Sequence, residues 1–93
     1  MAGYYDSEYR RRNIQVARVI GAKAAVDQAL TRARTLKHFP KWMIDYLESA
    51  AERLPGLSTD LASYRDASPD YAEYGPAAAA ARVDAHNRRV AAA

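Results

Sequence analysis

Leu36-Lys37-His38-Phe39-Pro40-Lys41-Trp42-Met43-Ile44-Asp45-Tyr46-Leu47, continued by Glu48-Ser49-Ala50-Ala51-Glu52-Arg53-Leu54-Pro55-Gly56-Leu57, holds the single Phe and the single Trp of the chain. It is also the densest run of large apolar side chains. Pro disfavours helical geometry in the residue before it, so Lys37-His38-Phe39 reads as a turn. Pro40 fits the first position of a helix. The spacing predicts that helix over residues 40–54. Met43, Leu47, Ala50 and Leu54 form one stripe, which Ile44 and Ala51 widen. Trp42, Tyr46, Ser49 and Arg53 make a second face, and Asp45, Glu48 and Glu52 an acidic third. Pro55-Gly56 is expected to end the helix.

Upstream, no Pro interrupts residues 7–36, and Gly21 is the one weak helix former. A long helix is predicted there, after an arm over residues 1–5, with Asp6 as N-cap and Glu8 in the first turn. Its side chains fit a heptad. Tyr9, Val16, Lys23, Leu30 and Lys37 share one position; Tyr5, Arg12, Val19, Val26 and Ala33 share the other. A repeat of 3.5 residues suits a helix packed along its length against another. Arg12, Lys23 and Lys37 interrupt the apolar seam. Their aliphatic stems can cover apolar surface while the charges reach water.

Downstream, Ser58 is expected to cap a short helix over residues 59–67, with Leu61 and Tyr64 inward. Ser68-Pro69-Asp70 reads as a further helix start, and Gly75-Pro76 closes that piece. Residues 77–92 form an Ala-rich C-terminal helix whose large apolar contacts are Val83 and Val90. The expected architecture is all-α: a long N-terminal helix, a shorter second helix packed on it, and short helices plus the C-terminal one, in one small domain.

With 93 residues the chain makes one small domain. It contains 21 Ala and 7 Tyr, while Leu, Ile, Val and Phe together supply 15 residues. That is a thin core, below the ~20% share ordinary globular domains exceed. The net charge of +3 is too small for a strongly charged disordered chain. A helical chain of this kind completes its core with a partner or a copy of itself. Charge is uneven: net +5 over residues 1–37, −4 over 38–74 and +2 over 75–93. With no Cys, disulfides, thiolate metal sites and thiol catalysis are excluded. No apolar run reaches the ~18–20 residues of a membrane span, and the N-terminus lacks the basic-then-apolar order of a secretory signal. A cytoplasmic protein is expected, or a virion component if a phage encodes it.

No residue pattern argues for catalysis. His38 and His86 have no ligand-spaced neighbours, so neither metal nor cofactor is expected. Asp45, Glu48 and Glu52 read as a solvated or partner-facing surface rather than an acid–base pair. Arg10-Arg11-Arg12, preceded by Tyr4, Tyr5 and Tyr9, is the most suggestive local feature. With Arg18 it defines a nucleic-acid reading, since basic residues interleaved with aromatics grip phosphates and stack on bases. Three consecutive helical arginines, however, point about 100° apart and form no patch by themselves. Tyr suits partly wet interfaces. Tyr4, Tyr5 and Tyr9 precede the fold and are therefore candidates for contact with another chain, together with the seam at Val16, Val19, Val26 and Leu30. An Ala-rich chain with a Trp near a helix turn resembles the small secreted helical-hairpin proteins that carry a Trp-any-Gly turn. Here Met43 and Ile44 follow Trp42, the defining Gly is missing, and the chain is not placed in that family.

The leading expectation is a non-enzymatic helical interaction protein, a structural or accessory subunit of a larger protein assembly such as a phage particle. Its partners would be other subunits or copies of itself, with no membrane and no small-molecule substrate. The alternatives are a basic nucleic-acid-binding module, and a small inhibitor that engages a larger enzyme through the acidic helix face.

Overall fold

Two stripes of side chains, spaced alternately three and four apart, determine the architecture. The first runs Tyr9, Arg12, Val16, Val19, Lys23, Val26, Leu30, Ala33. The second runs Ile44, Leu47, Ala51, Leu54, Ser58, Leu61, Arg65. Every member of both is buried or half-buried. The computed structural model, which describes residues 3–92, folds them into an antiparallel helical hairpin. Helix α1 spans Glu8–Ala33 and α2 spans Lys41–Asp66. At the turn end Arg34 meets Glu48 at 2.9 Å; at the open end the Arg12 Nη1 donates to the Tyr64 carbonyl at 2.8 Å. A short 3₁₀ turn at Tyr4–Asp6 precedes α1, while α3 (Tyr71–Tyr74) and α4 (Pro76–Ala92) follow α2. Among the described residues there is no strand, and the chain is a small all-α domain.

The second helix is as long as the first, 26 residues each, because it runs through Pro55-Gly56 instead of ending at Leu54. The short helix expected over 59–67 is its last part. A Pro inside a helix removes one backbone hydrogen bond and crowds the carbonyl four residues back, at about 3 kcal/mol. What opposes that cost is the seam: Leu54, Ser58 and Leu61 keep the phase set by Ile44, Leu47 and Ala51. Breaking the helix would take the second half of the stripe off α1. At the other end Pro40 is the N-cap, in extended conformation, and its carbonyl accepts the amides of Met43 and Ile44.

The arm expected over residues 1–5 is part of the fold from Tyr4 onward; Met1 and Ala2 lie outside the described residues. The N-cap of α1 is Ser7, not Asp6. Its Oγ accepts the Arg10 amide at 3.0 Å and donates to the Tyr4 carbonyl at 2.7 Å. Ser7 is buried at this junction, where an aspartate could not donate. The amides of Glu8 and Tyr9 are taken by the two carboxylate oxygens of Asp70, at 2.9 and 3.0 Å. The first-turn N–H groups that a helix leaves without internal partners are thus filled by Ser7 and by a residue beyond the end of α2.

The core is one seam thick. The buried apolar side chains are Tyr9, Val16, Leu30 and Ala33, all on α1; α2 has none. Two helices alone cannot enclose a core, since each covers only one stripe of the other. The molecule is accordingly long, with extents of 64 × 31 × 19 Å and a radius of gyration of 19.4 Å. A compact chain of this length would have about 12 Å.

Candidate interaction site

The N-terminal basic cluster does not form one surface. Arg12 belongs to the hairpin: its guanidinium pairs with Glu8 at 3.0 Å, donates to the Tyr64 carbonyl and lies 3.9 Å from the Tyr64 ring centroid. Its side chain is 16% exposed. Arg11 points outward beside Glu8, Arg10 lies 5.1 Å from the Tyr5 ring, and Arg18 is exposed one and a half turns further on. The sequence places these residues together, and the helix separates them.

The tyrosines divide too. Tyr9 is buried, its ring 6.0 Å from that of Tyr71 and 5.5 Å from the Arg65 guanidinium. The chain returns after α2 and covers this residue, which sequence reading leaves exposed. Burial raises the Tyr9 phenol above its ordinary value, and the Arg65 charge pulls it back. Arg65 is itself held more firmly protonated by its hydrogen bond to Asp66. Tyr4 is partly covered, edge-on to Tyr74 at 5.7 Å, and Tyr5 remains 76% exposed. Of the three, Tyr5 is the most exposed, with Arg10 and the Tyr4 ring beside it.

Val16, Val19, Val26 and Leu30 also change place. The heptad reading describes a helix packed on a helix, and the partner is α2 of the same chain. These side chains are occupied by the hairpin. Lys23 sits within the seam; its ammonium pairs with Asp27 one turn on, and it lines a shallow cavity with Ile20, Leu54 and Pro55.

Two flanks border the seam. One carries Ala22 and Ala29 from α1, Leu36 from the turn, and Met43, Ala50 and Leu57 from α2, an uncharged strip exposed along most of its length. Its outer rim holds Arg11, Arg18, Arg32 and Arg53 against Glu8 and Asp60, with Arg12 paired to Glu8 beside them. The opposite flank is centred on Ile20 and Pro55, with Ala17 and Ala24 exposed beside them. Its rim holds Asp27, Asp45, Glu48, Glu52 and Asp66 against Arg10, Arg34 and Lys41, and Lys23 and Arg65 pair into it with Asp27 and Asp66, so the acidic and basic groups balance. The acidic trio Asp45, Glu48 and Glu52 belongs to this second flank, and Glu48 is engaged by Arg34.

The fourth helix stands apart. Every side chain from Ala79 to Ala92 is exposed, Val83 and Val90 included. Its base is held by Arg82, which donates to the Glu73 carbonyl and lies 5.8 Å from the Tyr74 ring. At the joint, Gly75 packs on Tyr71 so closely that a Cβ would lie 2.5 Å from the Tyr71 carbonyl oxygen. Helices of 26 and 17 residues are about 39 and 26 Å long. The 64 Å axis is longer than the hairpin alone.

No group of His, Asp and Glu among the described residues is placed to hold a metal ion. No helix among them is long and apolar enough to cross a membrane. Sequence reading missed the Asp70 cap and the continuity of α2. The second had a signal, the unbroken three–four phase across Pro55; the first had none, because capping across a hairpin leaves no local pattern. Compared with protein-family models, with curated proteins and with solved structures, the chain matches none.

Proposed function

We propose that this chain is a non-enzymatic helical interaction protein, a small structural or accessory subunit that works by contact with other protein chains. The observation that supports the reading is α4. A helix of 17 residues that is held at its base and exposed from Ala79 onward gains little from tertiary burial, and helices near this length are marginal alone even when Ala-rich. Such an element becomes stable when another molecule covers Val83 and Val90. The one-seam core and the elongated shape point the same way, as does the spread of Arg10, Arg11, Arg12 and Arg18 over different directions, which weakens the nucleic-acid alternative.

Hydrogen exchange on the full chain tests this. In dilute solution the α4 amides should exchange far faster than those of α1 and α2, and they should become protected in an assembled state. Amides of α4 as protected as the hairpin in a dilute monomer would mean that α4 has a partner within its own chain, and the reading would fall.

A further inference from the structure

The N-terminal turn and the base of α4 meet at one joint. Asp70 and Tyr71 fasten the segment after α2 to the start of α1. The Asp70 carboxylate takes the Glu8 and Tyr9 amides, and the Tyr71 ring lies 6.0 Å from that of Tyr9. Three residues further on, the Tyr74 ring has a neighbour from each end of the sequence. Tyr4, in the 3₁₀ turn before α1, is edge-on to it at 5.7 Å. The Arg82 guanidinium, in the second turn of α4, lies 5.8 Å from the same ring, and it also donates to the Glu73 carbonyl. The row of contacts continues outward: Tyr5 is edge-on to Tyr4 at 5.9 Å, and Arg10 lies 5.1 Å from the Tyr5 ring. Edge-to-face rings and guanidinium–ring contacts are directional, so they fix an angle as well as a distance. From Ala79 onward α4 is exposed on every side, so its direction relative to the hairpin is set at this joint.

We propose that the 3₁₀ turn at Tyr4–Asp6 is a latch for α4, acting through Tyr74, which both Tyr4 and Arg82 contact. While the latch is closed, α4 points in one direction. When Tyr4 leaves Tyr74, α4 stays tethered through Gly75 and Arg82 and swings against the hairpin as a hinged element. The latch is reachable from outside, since Tyr4 is 42% and Tyr5 76% exposed. A molecule that draws this turn away opens it. By linkage, a partner that fits α4 only in its latched direction holds Tyr4 in place by the same free energy. That regulatory consequence rests on the reading of α4 as the docking arm; the latch itself does not.

The chain has no Cys, so two introduced ones carry spin labels without interference. Ala24→Cys on α1 and Ala80→Cys on α4 are at exposed positions. Residue 80 lies close to the joint, so fraying at the far end of α4 does not enter. Pulsed electron spin resonance on the dilute, doubly labelled full chain reads the distribution of distances between the labels. The labelled parent should give one narrow distribution. Tyr4→Ala should widen it roughly twofold or more, as expected when a hinge is released. Tyr4→Phe keeps the ring and should keep the distribution narrow. Arg82→Ala, outside the hairpin, should widen it as Tyr4→Ala does. Arg11→Ala, at the same end but outside the row of rings, should leave it as in the parent. Ser7 binds the Tyr4 carbonyl and not its ring, so the Glu8 and Tyr9 amides should stay protected from exchange in Tyr4→Ala. Several results would overturn the latch: a parent as broad as the variants, Tyr4→Ala or Arg82→Ala as narrow as the parent, or Arg11→Ala as broad as either. Lost protection at Glu8 and Tyr9 would do the same, because Tyr4 would then support α1 and not α4. None of these results decides whether the α4 amides gain protection on assembly, so the docking-arm reading is judged separately by hydrogen exchange.

Discussion

The carboxylate of Asp70 accepts the backbone amide of Glu8 at 2.9 Å, across 62 residues of chain. Its other oxygen takes the amide of Tyr9, so one side chain closes the start of α1 and pins the segment that follows α2. Asp70→Ala should cost about 1–2 kcal/mol, the usual loss on removing a helix cap. For a domain of this size that lowers the melting temperature by roughly 4–8 °C per kcal/mol. Thermal circular dichroism reads the shift, and faster exchange at the Glu8 and Tyr9 amides would locate it. A variant that melts with the wild type would show that water replaces the carboxylate without cost.

Arg11 and Arg12 are neighbours with different tasks. Arg12→Ala removes a contact with the Tyr64 ring and a hydrogen bond to its carbonyl, and should destabilise the hairpin by about 1–2 kcal/mol. Arg11→Ala removes an exposed pair and should stay within about 0.5 kcal/mol of the wild type. Urea titrations of the two variants decide the matter. Equal losses would contradict the placement of Arg12 across the seam.

Pro55→Ala restores the hydrogen bond from residue 55 to the Ala51 carbonyl and relieves the crowding of the ring. Against this, the unfolded chain regains freedom that Pro had removed, worth about 0.4–1 kcal/mol. The net expectation is a gain of about 2 kcal/mol, seen as a higher denaturant midpoint. A loss instead would mean that α2 depends on the irregularity Pro55 introduces.

The raised Tyr9 phenol sets an alkaline limit. A group whose proton is held more tightly in the fold than in the unfolded chain contributes stability that is complete below its unfolded value, near 10 for Tyr. That contribution is lost as pH rises through the higher folded value. The wild type should therefore lose stability above about pH 10, while Tyr9→Phe keeps its midpoint further into the alkaline range. Parallel urea titrations from neutral pH into the alkaline range compare them; identical profiles would show that Tyr9 ionises without leaving its site.

The turn at Lys37-His38-Phe39 was legible because Pro40 acts locally, and the face of α1 was legible because its heptad is internal to one helix. The identity of the facing helix was not, since Val16, Val19, Val26 and Leu30 would look the same whether α2 or another molecule covered them. Pro55-Gly56 misleads for a physical reason. Propensity marks a break costing about 3 kcal/mol, whereas the packing that outweighs it is spread over Leu54, Ser58 and Leu61 and over the α1 residues that face them.

The unbroken three–four phase of both stripes makes the length of the hairpin a free parameter. Removing seven residues from α1 and the seven that face them on α2 would bring equivalent seam positions back into register and shorten the rod by about 10 Å. The Asp70 cap at one end and the Pro40 turn at the other would be untouched. Chains built on this plan can therefore differ in reach by whole heptads while keeping the same ends, and a removal of any other size would rotate one half of a helix away from its partner.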